Sequence, residues 1–253
     1  MACSPEAYRG VLRAALESGY VFGSMEDCAA GQVPGQCVLL RHDVDYSLER
    51  AVQLARLNAE CGVRGTFFVQ VRSPVYNLLH PASLDCCREL AAAGQELGLH
   101  APYPDPGEPA ARVVTRLAGD VALCEEQVGV RFARVVAWHN PPPRLGEQPD
   151  LLAGSGLASA YHRPLFVPGC YLADSNLRNR ADDFVALFRA RSLPLVQVLI
   201  HPLYWIAGGS AVGPILEATF AAAAGRLEAE FLTNPNWRPV DWATFRRWRE
   251  EER

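Results

Sequence analysis

The sequence predicts an α/β chain built on one parallel sheet, closed or nearly closed into a barrel. Three observations carry this expectation. Short apolar runs alternate with longer segments of helical period along most of the 253 residues, the pattern of right-handed strand–helix–strand crossovers. The first clear run, Val38-Leu-Leu-Arg-His-Asp-Val-Asp-Tyr-Ser47, stops on two carboxylates separated by one valine, and C-terminal strand ends are where α/β folds place their ligands. Four of the six histidines, His42, His100, His139 and His201, fall at or beside the ends of predicted strands. In a parallel barrel those ends share one rim.

The elements follow in order. Residues 1 to 36 open with a helical pattern (Tyr8, Val11, Leu12, Ala15, Leu16) and end in the loop Gly31-Gln-Val-Pro-Gly35; they read as a cover belonging to the same domain. Residues 37 to 253 are the expected barrel domain. After the Asp-Val-Asp strand, Ser47 is placed to cap a crossover helix whose apolar face (Leu48, Ala51, Leu54, Ala55, Leu57) runs to Gly62. Gly65-Thr-Phe-Phe-Val-Gln-Val71 reads as a buried strand, residues 82–93 as a helix, and Glu96-Leu-Gly-Leu-His100 as a strand running into the proline-broken loop 101–106. A helix over 108–127 leads to the strand Arg134-Val-Val-Ala-Trp-His139, which ends in Asn-Pro-Pro-Pro. Leu157 to Val167 holds short strand-like pieces, Asn179 to Arg191 a helix, and Pro194-Leu-Val-Gln-Val-Leu-Ile200 the clearest late strand. A long alanine-rich helix from Val212 to Leu232 and a Trp/Arg-rich terminal helix, Trp242 to Arg253, complete the chain.

Composition excludes several classes of function. The formal charge of -4, with acids and bases interspersed, gives no electrostatic footprint for nucleic acid. No stretch approaches the ~20 apolar residues of a membrane span, and Met-Ala-Cys-Ser-Pro-Glu lacks the basic and apolar regions of a signal peptide. A cytoplasmic location is expected, and assembly into a homo-oligomer is left open. The eight cysteines contain no Cys-x-x-Cys pair and read as reduced core residues.

Side chains two apart on an extended segment point the same way, so Asp43 and Asp45 converge while His42 points away from them. Imidazoles and carboxylates on one rim suit zinc, iron, cobalt or manganese, and a site with two or three protein ligands leaves room for an activated water. His80 and His162 fall in predicted loops or short strands.

His42-Asp-Val-Asp45, Gly65-Thr-Phe-Phe-Val69, Glu96-Leu-Gly-Leu-His100 and the late His201-Pro together resemble the polysaccharide deacetylase superfamily, the NodB-homology group of carbohydrate esterase family 4 type, in its divergent branch with His-Asp-Val-Asp as first motif. The resemblance covers roughly residues 37 to 205. It implies a distorted (β/α)7-type barrel and metal-dependent hydrolysis of an N-acetyl or related N-acyl group on an amino sugar or small biosynthetic intermediate. By the same resemblance a metal-activated water attacks the amide, Asp43 acts as general base, Asp45 as metal ligand and His201 as general acid. With a valine between the aspartates, the two roles could be exchanged, or both aspartates could bind metal. The family's second motif supplies two histidines four apart, whereas Pro104 stands four after His100. His139 is expected to fill the vacancy, with Asp105 as the alternative, so that Asp45, His100 and His139 hold a divalent transition metal: zinc first, then iron, cobalt, nickel or manganese. Tyr76-Asn77 and Tyr171-Leu-Ala-Asp174 resemble loop segments of the same branch. Asn77, Asp174, Trp138 and Trp205 are the candidate substrate contacts, the tryptophans as walls for a sugar. Two other readings stand beside this one: an Asp-x-Asp metal-dependent glycosyltransferase, and a barrel that binds sugar without turnover.

Overall fold

In the computed structural model, which describes residues 2–33, 35–167, 169–233 and Arg247, strands and helices alternate as the periodicity predicts. Helix α1 (Pro5–Glu17) is followed by β1 (Val21–Phe22), α2 (Met25–Ala29), β2 (Cys37–Val44), α3 (Leu48–Glu60), β3 (Thr66–Val69), α4 (Pro81–Ala92) and β4 (Glu96–Pro102). Then come α5 (Ala110–Val128), β5 (Val135–His139), β6 (Ala158–Ser159), β7 (Tyr171–Ala173), α6 (Ala181–Ala190), β8 (Leu195–Ile200), α7 (Pro202–Ala207) and α8 (Val212–Leu232). Contacts divide the chain into two compact units, Met1–Val212 and Gly213–Arg253, where the sequence reading runs one domain from 37 to 253. Residues 1 to 36 belong to the first unit with the sheet. Within the described residues the second unit is the greater part of α8; the expected Trp/Arg-rich helix from Trp242 lies outside them, apart from Arg247.

The sheet is parallel throughout. Its path runs β6-β5-β4-β3-β2-β8-β7, with β1 added on the β3 side of β2. This is the expected α/β architecture, a curled seven-strand path open between β6 and β7 rather than a closed ring. The curl is visible in side chains: Gln197 of β8 donates from Nε2 to the carbonyls of Ala160 and Leu165, just beyond β6, at 2.9 and 3.0 Å. Register aligns Asp43 with Phe68, Phe68 with Gly98, and His100 with Ala137. Alternation then sorts the faces. Cys37, Leu39, Phe68, Val135 and Ala137 fill the concave side with Ala160 and Leu165, and α2 closes the lower end with Met25 and Cys28. The alternate residues of β2, β4, β5 and β8 are just as buried, which is why these strands read as continuous apolar runs.

Local chemistry explains the boundaries. Ser47 accepts the Arg50 N–H at 3.2 Å and caps α3 as expected. Pro5 and Pro81 open α1 and α4, and Gly129, at φ 80°, ends α5. Gly98 is fixed by space: a Cβ there would lie 2.6 Å from Cε1 of Phe68.

Candidate active site

Carrying the β2–β3–β4 register one residue further puts Asp45, Gln70 and His100 in one row at the C-terminal ends of their strands. His139 ends β5, the next strand along. The consequence is a cluster. His100 Nε2 lies 3.0 Å from Asp45 Oδ1, His139 Nδ1 lies 3.2 Å from the same oxygen, and the two nitrogens are 3.2 Å apart. Among the described residues, Asp45, His100 and His139 form the group of His, Cys, Asp or Glu whose donor atoms all fall within 4.8 Å of one another. Asp105, the alternative on the proline-rich loop, is exposed and outside this group. The cluster opens upward: side-chain exposure is 2% for His100, 14% for Asp45 and 30% for His139.

The chemistry of these donors fits a divalent cation. His100 Nδ1 sits 2.9 Å from the Ala137 carbonyl, an acceptor, so this nitrogen carries a proton and Nε2 is the one that can offer a lone pair to a cation. That lone pair faces a carboxylate oxygen. Two electron-pair donors so placed call for a positive charge between them, and a backbone carbonyl orienting the far nitrogen is the usual support of a ligand histidine. Burial would raise the pKa of Asp45, but its hydrogen bonds to His100 and His139 and the surrounding imidazole charges bring it well below the ordinary carboxylate range. The carboxylate stays ionised. Gln70 Nε2 donates to Asp45 Oδ1 at 3.1 Å, and the Tyr76 hydroxyl pins the row by accepting from Gln70 N–H and donating to the Val44 carbonyl, each at 2.8 Å.

Beneath lies Asp43, 3% exposed. Arg41, two residues earlier on the same face, grips it with a two-pronged bond from Nε to Oδ1 and from Nη2 to Oδ2, at 2.8 and 2.7 Å. The guanidinium is fully buried, donates to Tyr161 Oη at 2.8 Å and lies over that ring at 4.5 Å. Burial pushes the Asp43 pKa up, yet the charge of Arg41, with those of His100 and His201, holds it below the ordinary value. Asp43 is therefore a carboxylate at neutral pH, 3.7 Å from His100 Nε2.

On the opposite flank, His201 Nε2 is 3.7 Å from Asp45 Oδ2. Its Nδ1–H donates to Asp174 Oδ1 at 2.5 Å, while Asp174 Oδ2 accepts the His201 backbone N–H at 2.9 Å and the Trp205 indole N–H at 2.8 Å. Burial lowers the His201 pKa, but the charge and hydrogen bond of Asp174, aided by Asp45 and Asp43, outweigh it and lift the imidazole to about 9. It is cationic at neutral pH.

The remaining candidates are placed less directly. Trp205 is fully buried, between Tyr8 and Phe184 at 5.5 and 6.1 Å, and Trp138 is 1% exposed with its ring edge-on to Tyr103 at 5.5 Å. Neither offers a face to a sugar, because both sit on the side of the strand or helix that packs the interior. Asn77 is exposed, and its side-chain oxygen accepts the Leu79 N–H at 3.1 Å. Asp174 orients His201 from below with no exposed surface. His42 points away from Asp43 as alternation predicts: it packs on Phe67 at 4.2 Å, bonds Asn58 at 3.2 Å, and burial drives its pKa down to about 3. His80 caps α4, and His162 bonds the Gln148 carbonyl. The residues overlooked in the sequence are Arg41, Gln70 and Tyr161, while Tyr76 figures there only as part of a loop segment. Arg41 carried a usable signal, since it shares a strand face with Asp43.

No protein-family model matches the sequence, and no curated protein does. Among solved structures, the chain is similar to a CE4 family pseudoenzyme from Bacillus anthracis, at 16% identity and a TM-score of 0.46 over 76% of this chain and 61% of that one. A mutant of that pseudoenzyme with restored activity aligns at 15% identity and 0.46, over 76% of this chain and 63% of the other. The chain thus spans less than two thirds of the length of both. It is also similar to the chitin deacetylase of Colletotrichum lindemuthianum, at 18% identity and 0.46, over 74% of this chain and 81% of that one.

Proposed function

We propose that the protein is a metal-dependent deacylase acting on an N-acetylated or N-acylated amino sugar. The observation that carries this reading is the convergence of three metal-type donors between an ionised carboxylate held by arginine and a cationic imidazole held by aspartate. Asp45, His100 and His139 would hold a divalent transition ion, zinc first by donor type. Such an ion polarises an amide carbonyl and lowers the pKa of water toward neutrality. The chain's own groups do the proton work. Asp43, kept ionised by Arg41, receives the proton of the attacking water. His201, kept protonated by Asp174, delivers one to the departing amine, a division of labour worth about 10²–10⁴ in rate for each partner. The motif resemblance supplies the substrate class.

The glycosyltransferase reading needs both aspartates for a metal and a diphosphate. Arg41 occupies both oxygens of Asp43, which favours the hydrolase. The test is incubation with free and nucleotide-linked N-acetyl amino sugars. Acetate release that stops with a chelator and returns with zinc is the expected result. Release of nucleoside diphosphate with sugar passed to an acceptor would replace this reading, and sugar binding without product would mark a barrel that only binds.

A further inference from the structure

His139 enters the cluster through Nδ1, so its other nitrogen faces outward. There it meets the next residue: Asn140 Nδ2 lies 3.0 Å from His139 Nε2. Asn140 itself has left-handed backbone at φ 48° and precedes Pro141, which disfavours the right-handed helical region before it. Left-handed geometry accounts for asparagine or glycine at this position. It does not account for a carboxamide turned onto the imidazole.

The protonation pattern gives that amide a task. As an N–H donor to Nε2 it leaves the ring proton on Nδ1, the nitrogen that lies 3.2 Å from Asp45 Oδ1. A cation bound at Nδ1 requires that nitrogen's lone pair, so the proton must leave Nδ1 for solvent while Nε2 takes one up. The net proton count is unchanged. Nε2–H then needs an acceptor, and a half-turn of the Asn140 amide presents its oxygen at the same place.

We infer that Asn140 is the positioning residue of His139, fixing its ring and switching from donor to acceptor as a divalent cation takes Nδ1. The inference rests on the reading of His139 as a ligand. It extends that reading to a residue outside the donor set. Loss of such an outer partner typically weakens metal binding by about 10–100-fold.

Three variants and a direct observation of the ring test it. Zinc affinity is measured by competition with a chromophoric chelator for wild type, Asn140→Gly, Asn140→Asp and His139→Ala. Glycine keeps the left-handed backbone and removes the amide, so Asn140→Gly should fold normally and bind zinc about 10–100-fold more weakly. Asn140→Asp, a fixed acceptor, should bind at least as tightly as wild type. Long-range proton–nitrogen NMR of labelled histidines, at a pH high enough to leave the His139 ring neutral, should show the wild-type His139 proton on Nδ1 without zinc and on Nε2 with it. In Asn140→Asp it should sit on Nε2 in both. Wild-type affinity in Asn140→Gly, with zinc lost in His139→Ala, would reduce Asn140 to a turn residue and leave the metal site standing. Zinc retained in His139→Ala would overturn the ligand reading and this inference with it.

Discussion

At the scale of the residue, the rim is governed by two buried partners, Arg41 and Asp174. Each sits one step behind a group to which we assign proton transfer, and fixes its charge state. Arg41 keeps Asp43 ionised despite 3% exposure, and Asp174 keeps His201 protonated. The second pair has a pH signature whose sign follows from linkage. The His201 pKa rises on folding from an ordinary 6.5 to about 9, so the protonated form is bound more tightly by the folded chain. Its stabilisation is fully present below about pH 6.5 and is lost as pH rises through about 9, on the order of 3 kcal/mol at most. Urea midpoints measured with a chelator present should therefore decline across that window in wild type and decline much less in His201→Gln. An equal decline in both proteins would mean that His201 carries no raised pKa.

At the scale of the element, the concave sheet depends on one exchange of volume between neighbouring strands. The Phe68 ring of β3 occupies the place where β4 would carry a side chain at position 98, and a Cβ there would come within 2.7 Å of Cδ1 as well as 2.6 Å of Cε1. Gly98→Ala should therefore cost about 1–3 kcal/mol, the usual penalty of overpacking a filled core. Adding Phe68→Leu should return part of that loss, which a double-mutant cycle by urea denaturation would show as coupling. Strictly additive effects would mean that the two strands move apart instead. The same elements show what a sequence discloses. Strands β2, β3, β4, β5 and β8 were legible because buried parallel strands are apolar on both faces, and the histidines at their ends were legible by position. The strands β6 and β7, with bounds Ala158–Ser159 and Tyr171–Ala173, are too short to show a period. The stretch read as strand-like over 157–167 therefore becomes β6 followed by turns, and Tyr171 to Ala173 becomes strand where a loop was expected. Arg41 could have been found by the alternation that joined Asp43 to Asp45. Tyr161 could not, since only the curl of the sheet brings it 120 positions back to Arg41.

At the scale of the whole molecule, Asp45, His100 and His139 come from the ends of β2, β4 and β5, so an ion held by all three ties together strands distant in sequence within the unit Met1–Val212. A ligand that binds the folded chain and not the unfolded one stabilises it by mass action, about 2.7 kcal/mol at a hundred times its Kd. For a unit of this size that corresponds to a rise of roughly 5–10 °C in Tm. Wild type should show this rise on adding zinc and lose it with a chelator. Asp45→Ala, His100→Ala and His139→Ala should each abolish most of the rise, because losing one of three protein ligands is severe. Asp43→Asn and His201→Ala should retain it while losing acetate release, because the geometry puts them beside the donors rather than among them. The decisive comparison is His139→Ala against Asp105→Ala. A normal rise in the first and none in the second would move the third ligand to the proline-rich loop. His139 would then belong to the acid–base apparatus, and an Asp–His–Asp donor set would favour a harder ion than zinc.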